Sequence, residues 1–141
     1  MATREYFLTT TLSIEQANKL VIVQNAFYHN VVNSYNSNAF ISALSSATSI
    51  YSVISVLPGA TAAGIASLAF SLWEELASMD EDTFKDKANE GYRSLSSITA
   101  AANNLGANAI EFTMPMIEYD DVRFVFGTCS ARINVNGSWI S

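Results

Sequence analysis

Apolar and polar positions follow a helical period through most of the first hundred residues and a two-residue period after about residue 109. These two periods predict an α+β protein with about four helices, including an apolar helical hairpin, and a C-terminal antiparallel β-sheet of three to four strands. We treat the chain as a single domain, residues 1–141. It contains an N-terminal strand or arm (1–12), a helical part (13–105) and a β part (109–141).

The helical part carries start and stop signals for each helix. We expect helices over about 14–33, 39–57, 61–79 and 82–103. Ser13 followed by Gln16 matches a capping box at the first start. Pro58-Gly59 ends the second helix, because proline cannot continue it. Asp80-Glu81-Asp82 begins the fourth, since carboxylates stabilise the positive end of a helix dipole.

Residues 39–72 are unusually rich in small side chains, with eight alanines, eight serines and two glycines. Ala63, Ser67 and Ser71 recur at four-residue spacing, which places them on one helix face. Small residues allow two helix backbones to approach closely. We therefore predict that the second and third helices form a tight antiparallel hairpin that also contributes to a subunit interface.

Alternating patterns mark the strands. Ile110, Phe112 and Met114 alternate with polar or small residues, and Asn136-Gly137 is a typical two-residue hairpin turn. Pro115 within the first of these strands indicates an edge position or a bulge. Residues 4–11 are rich in aromatic and β-branched types, which predicts a strand or an extended arm that adds to the sheet edge of another copy.

Charge is scarce and unevenly placed. Charged residues make up 14% of the chain, against about 25% in a typical soluble domain. No Asp, Glu, Lys or Arg occurs in residues 20–73. The net charge is −6 and the seven basic residues are scattered, which argues against a nucleic-acid partner. We therefore expect other copies of the chain or a membrane to shield the charge-free stretch from water.

The sequence contains few candidate catalytic or metal-binding residues. The chain has one histidine, His29, and one cysteine, Cys129, so neither a typical zinc site nor an internal disulfide can form. Cys129 is interpreted as a small apolar strand residue, with a disulfide between subunits as the alternative. We predict no catalytic residue, cofactor, metal or small-molecule substrate, and hence no enzyme.

Two hypotheses for function follow. The first is a structural, self-assembling subunit of a homopolymeric fibre or filament, whose partner is the same chain. Its predicted interface residues are Tyr6, Phe7, Leu8, Ala63, Ser67, Ser71 and Trp139. The alternative is a membrane-active helical-hairpin protein, similar to a pore-forming toxin, a bacteriocin or a holin, because two uncharged helices of 18–20 residues approach the length that spans a bilayer. A discrete ligand-binding or regulatory module is a third possibility.

The start of the chain, Met1-Ala2-Thr3-Arg4-Glu5, lacks the features of a cleavable signal peptide. Export by the general route is therefore not predicted. For a bacterial or phage protein, we expect a fibre released or displayed outside the producing cell. Fibres assembled with spores in a mother cell would account for the missing signal.

Overall fold

The computed structural model describes residues 3–141, apart from the Met79 side chain. The helices are α1 (Ile14–Ala26), extended by a π-helical segment (Phe27–Val32), α2 (Ser37–Ser45), a 3-10 turn (Thr48–Ile50), α3 (Tyr51–Ile54) and α4 (Ala62–Asn104). The strands are β1 (Thr3–Ser13), β2 (Ala109–Tyr119), β3 (Val122–Val125), β4 (Ser130–Val135) and β5 (Ser138–Ile140). The predicted α+β class, with helices preceding an antiparallel sheet, is confirmed.

The first helix begins where the capping box predicts. The Gln16 backbone N–H donates to Ser13 Oγ at 3.1 Å, and the Ser13 N–H donates to Gln16 Oε1 at 3.1 Å. Two free backbone donors at the helix start are thereby satisfied. The wider turns of Phe27–Val32 carry the helix to the predicted end near residue 33.

The helix predicted over 39–57 is not continuous, so the prediction of two long packed helices is wrong in this part. α2 ends at Ser45, and Ala47 has φ −128° and ψ 36°. The hydroxyls of Ser45 and Ser46 donate to the carbonyls of Ile41 and Ala43, both at 2.8 Å. Serine hydroxyls that bond backbone carbonyls weaken a helix slightly, and the break follows directly after these two residues.

A kink at Asp80 separates the two halves of α4. Asp80 has φ −156° and ψ 86°, and its carboxylate accepts from the Thr83 N–H at 3.2 Å and the Thr83 hydroxyl at 2.7 Å. These hydrogen bonds lower the pKa of Asp80 below its ordinary value. The predicted helix boundary at residues 79–82 is confirmed, because Asp80 has non-helical backbone angles between the two helical halves.

The sheet is antiparallel and has five strands. β1 pairs with β2 along its whole length, from Thr3 opposite Tyr119 to Ser13 opposite Ala109. The other side of β2 pairs with β3 near one end and with β4 near the other, and β5 pairs with β4. The N-terminal segment is therefore a strand of this chain's own sheet rather than a free arm.

The interruption between β3 and β4 lies opposite Pro115, in agreement with the predicted bulge. The predicted alternative, an edge position, is wrong, because β2 pairs with β1 on one side and with β3 and β4 on the other. The Phe126 N–H donates to the Pro115 carbonyl at 2.8 Å. Gly127 has φ +139°, and a Cβ there would lie 2.9 Å from Pro115 Cγ. Only glycine adopts this conformation at this distance without strain, so the bulge depends on Gly127.

Aromatic rings occupy the core between the helices and the sheet. Phe27 stacks on Phe124 with ring centroids 4.1 Å apart and an interplanar angle of 2°. Phe40 and Phe84 each lie 6.2 Å from Phe27. Because these rings come from the π-helical segment, α2, α4 and β3, one cluster joins the helices to the sheet.

Candidate functional site

The charge-free stretch, residues 20–73, supplies much of the core rather than an apolar surface. Its buried apolar side chains are Leu20, Val23, Ala26, Phe27, Val31, Val32, Phe40, Leu44, Ala47, Ile50, Val53, Ile54, Ile65, Ala66, Ala69, Leu72 and Trp73. Its exposed positions are mostly serine, threonine, asparagine and small residues. The outer face of this stretch therefore presents hydroxyl and amide groups to water instead of charged groups. The expectation that the whole stretch must be shielded from water by another molecule is wrong.

A smaller set of large apolar side chains does remain exposed. Among the described residues these are Phe7, Ile22, Tyr35, Val56, Leu57, Leu105, Trp139 and Ile140. Isolated exposed apolar residues are normal in soluble proteins. Those that lie on a free sheet edge or in a groove are the candidates for contact with another molecule.

The predicted interface residues of β1 divide between its two faces. Tyr6 and Leu8 are half-buried on the face that packs against the core, whereas Phe7 on the opposite face is 73% exposed. Phe7 lies opposite Pro115 in the strand register. Of the three, Phe7 is the side chain that a second molecule could contact directly.

Tyr6 links the sheet to the helical part. Its hydroxyl donates to Glu118 Oε1 at 2.6 Å and accepts from Arg123 Nη1 at 3.2 Å. Arg123 also donates to the carbonyls of Val53 and Ser52. The hydrogen bond from Tyr6, followed by that from Arg4, lowers the pKa of Glu118 below its ordinary value. The role visible for Tyr6 is therefore structural.

The outer edge of β1 is a candidate for strand addition. Among the described residues β1 pairs with β2 only. The segment from Phe7 to Leu12 contains no charge and no proline. Lysine, proline or a bulge at an edge strand normally discourages pairing with other chains. This edge lacks all three over six residues.

The small-residue stripe on α4 does not form the close helix packing that was predicted. Ala63 and Ser67 are exposed and Ser71 is half-buried, with its hydroxyl donating to the Ser67 carbonyl at 3.1 Å. The helix instead buries Ile65 and Ala69. A substitution such as Ser67→Glu would place the new carboxylate in water and should therefore cost little stability within one chain.

Trp139 lies on β5, at the end of the sheet opposite β1. Its side chain is 42% exposed, and the Arg132 guanidinium lies over the ring with Cζ 5.2 Å from the centroid. Arg132 also forms an ion pair with Glu111 at 2.9 Å. The structure does not bring Trp139 together with Phe7 or with the α4 stripe, so the predicted interface residues are spread over three surfaces.

A groove that sequence reasoning missed lies between α3 and the start of α4. This 51–60 groove has a volume of about 510 Å³ and is lined by Tyr51, Ser52, Ser55, Val56, Leu57, Pro58, Gly59 and Ala60. Val56 and Leu57 are 46% and 52% exposed. Two apolar residues directly before Pro58-Gly59 are a sequence signal for this groove. That signal is informative only if the helix is known to break before Tyr51.

The described residues show little reactive chemistry. Burial raises the pKa of Cys129 to about 11, although a hydrogen bond from Ser94 opposes the shift. His29 is exposed and contacts the rings of Tyr28 and Tyr92 edge-on. Over residues 3–141 no cluster of three or more His, Cys, Asp or Glu side chains could hold a metal ion.

The first of the two helices considered for membrane insertion is shorter than predicted, since α2 has nine residues. Within the described part of the chain, no helix combines the length and the apolar character needed to cross a membrane.

Comparison with protein-family models, curated protein sequences and solved structures finds no significant match to this chain.

Proposed function

We propose that this chain is a non-enzymatic structural subunit that polymerises with copies of itself, and that β1 is the element through which one copy contacts the next. The observation that supports this proposal is the free edge of β1. The strand is 11 residues long, is paired on one side among the described residues, and carries the exposed Phe7 within an uncharged segment. Edges of this kind pair readily with other chains.

The charges beside Phe7 also favour self-association. A chain of net charge −6 repels its copies, so copies approach most easily where local charge cancels. Glu5, which lies on the same face of β1 as Phe7, is 3.8 Å from Lys87. Such an exposed pair contributes little to stability, but it leaves the surface beside Phe7 close to neutral.

Light scattering and negative-stain electron microscopy of the purified chain test the proposal. We expect filaments whose appearance depends on protein concentration. Thr9 is exposed on the same face as Phe7, so Thr9→Lys would bring a charge into the contact. Desolvating that charge should raise the concentration required for polymer by roughly tenfold or more.

Ser42→Lys is the matched control, because it makes the same change of charge at an exposed position on α2. We expect it to polymerise like the parent chain, with both variants melting close to the parent temperature. A parent chain that stays monomeric at high micromolar concentration would contradict the proposal. Equal polymerisation of the parent and both variants would exclude β1 as the contacting element.

A further inference from the structure

A groove that the proposed function does not use lies between α1 and the second half of α4. This α1–α4 groove has a volume of about 340 Å³, within the range of roughly 300–1000 Å³ that is usual for small-molecule sites. It is lined by Asn18, Val21, Ile22, Ser96, Thr99, Ala100 and Asn103. Four of these seven side chains bear a hydroxyl or an amide, and none is charged. The groove is therefore a polar, neutral site rather than an apolar docking surface.

Two contacts between the helices mark the ends of a seam that contains this groove. At one end, Asn103 Nδ2 donates to Asn18 Oδ1 at 3.1 Å. At the other end, eleven residues away along each helix, the His29 and Tyr92 rings meet edge-on with centroids 6.1 Å apart. Eleven helical residues rise about 16 Å. The seam therefore runs for that length from an amide pair to an aromatic pair.

Two buried polar atoms in the seam have no hydrogen-bond partner among the described residues. They are Thr99 Oγ1, in a residue that is 3% exposed, and Asn25 Oδ1. Asn25 follows Ile22 by three positions and precedes His29 by four, and residues at this spacing share one helix face. Because buried polar groups in proteins are normally hydrogen-bonded, we expect a molecule bound in the groove to supply the missing partners.

The amide pair offers further hydrogen bonds. Asn103 Nδ2 donates to Asn18 Oδ1 and also to the Thr99 carbonyl, the latter at 2.9 Å. These bonds leave Asn18 Nδ2 as a donor and Asn103 Oδ1 as an acceptor with no partner in the described part of the chain. A hydroxyl group both donates and accepts, so two adjacent hydroxyl groups on one ligand would satisfy both.

We infer that the α1–α4 groove binds a neutral oligosaccharide, and this inference does not rest on polymerisation. Sugar hydroxyls bond the amides and hydroxyls of the two walls. The C–H face of a sugar ring covers Ile22, which is 44% exposed. The seam of about 16 Å is longer than a single sugar ring, so a short chain of linked sugars fills it better than a monosaccharide.

Other classes of ligand fit these walls less well. A charged ligand would lose hydration without meeting an opposite charge in the lining. An apolar ligand, or the apolar face of a partner helix, would leave the Thr99 hydroxyl and the asparagine amides unpaired. An added peptide strand needs the backbone donors and acceptors of a sheet edge, whereas both walls of the groove are α-helical.

Isothermal titration calorimetry of the full chain with three neutral trisaccharides, maltotriose, cellotriose and tri-N-acetylchitotriose, tests the inference. Saturation-transfer difference NMR, which observes the sugar and tolerates a large complex, gives a second measurement. We expect at least one of these probes to bind with a dissociation constant of roughly 1 mM or below. Sialyllactose, a trisaccharide that carries a carboxylate, should bind at least about tenfold more weakly.

Thr99→Val separates a binding role of the hydroxyl from a structural one. The variant keeps the shape of the side chain and removes the hydroxyl, so its affinity for the sugar should fall roughly three- to tenfold. Its melting temperature should not fall, because the hydroxyl has no partner within the described residues. Ser97→Ala, which removes an exposed hydroxyl outside the groove, should leave the affinity unchanged. A lower melting temperature of Thr99→Val with unchanged affinity would contradict the inferred site.

A second pair of variants tests the location. Ala100→Trp fills the groove and should abolish binding, whereas Ala101→Trp, at the next exposed position and outside the lining, should bind like the parent. Far-UV circular dichroism establishes that both variants are folded. Binding that persists in Ala100→Trp, or failure of every neutral probe at about 10 mM, would overturn the inference. Polymerisation is measured separately, so a monomeric parent that binds sugar would overturn the proposed function alone.

Discussion

The Gln24 side chain pairs with the backbone of Val125 as a neighbouring strand would. Gln24 Nε2 donates to the Val125 carbonyl at 2.9 Å, and the Val125 N–H donates to Gln24 Oε1 at 3.2 Å. Both residues are 1% exposed. A buried backbone N–H and C=O need partners, so one helical amide satisfies the outer edge of β3 and fixes α1 against the sheet.

Replacing Gln24 with leucine should be strongly destabilising. Gln24→Leu keeps a similar volume but leaves the donor and the acceptor of Val125 buried without partners. The free energy of unfolding should fall by about 2–5 kcal/mol, measured by urea denaturation. Gln16→Leu, which removes an amide from the exposed capping box, should cost about 1 kcal/mol. Equal losses in the two variants would show that the Val125 groups find other partners.

Gly91 is the point at which α4 crosses β3. A Cβ at Gly91 would lie 2.8 Å from Val125 Cγ1 and 3.1 Å from the Val125 carbonyl oxygen. Gly91→Ala should therefore lower the melting temperature, because the overlap costs about 1–3 kcal/mol and exceeds the gain of about 1 kcal/mol in helix propensity.

Ala100→Gly is the control for Gly91→Ala, since Ala100 is exposed on the same helix. The reverse exchange there should cost about 1 kcal/mol through propensity alone. If Gly91→Ala instead raises the melting temperature, the helix and the strand must be able to move apart at little cost.

The Glu118 carboxylate should contribute stability that depends on pH. Hydrogen bonds from Tyr6 and Arg4 lower its pKa in the folded protein below the ordinary value of 4.5. The folded state therefore holds the ionised form more tightly, and this stabilisation is present above pH 4.5 and is lost as the pH falls through the lower folded pKa.

The melting temperatures of the parent and Glu118→Gln, followed from neutral pH to below 4.5, measure this contribution. We expect the difference between them to narrow as the pH falls. Glu90→Gln, at an exposed position on α4, should show no comparable narrowing. A constant difference across the range would mean that the charge of Glu118 adds nothing to its hydrogen bonds.

Local signals in the sequence predicted the parts of the fold that depend on near neighbours. The capping box at Ser13 and Gln16, the helix start at Asp80 and the bulge opposite Pro115 all agree with the structure. Each is determined by residues within a few positions or by the missing N–H of proline. The α+β class was predicted for the same reason, because periodicity is a local property.

The candidate site was predicted only in part. Phe7 was correctly placed on a strand, but its exposure depends on which face of β1 meets the helices. The 51–60 groove was missed because the pattern over 39–57 is typical of one helix, whereas α2 ends at Ser45, where the Ser45 and Ser46 hydroxyls donate to helix carbonyls. A serine hydroxyl can either face water or donate to a backbone carbonyl, and the local pattern of residue types does not determine which of the two occurs.

The sequence by itself determined the class of fold, most helix boundaries and an uncharged middle segment. The tertiary structure alone decided where that segment lies: its apolar side chains fill the core, and its hydroxyls and amides face water. It also decided that β1 is an edge strand and that Gln24 completes β3. The reason is physical, because burial and edge exposure depend on contacts between residues distant in the chain, which no local pattern of residue types records.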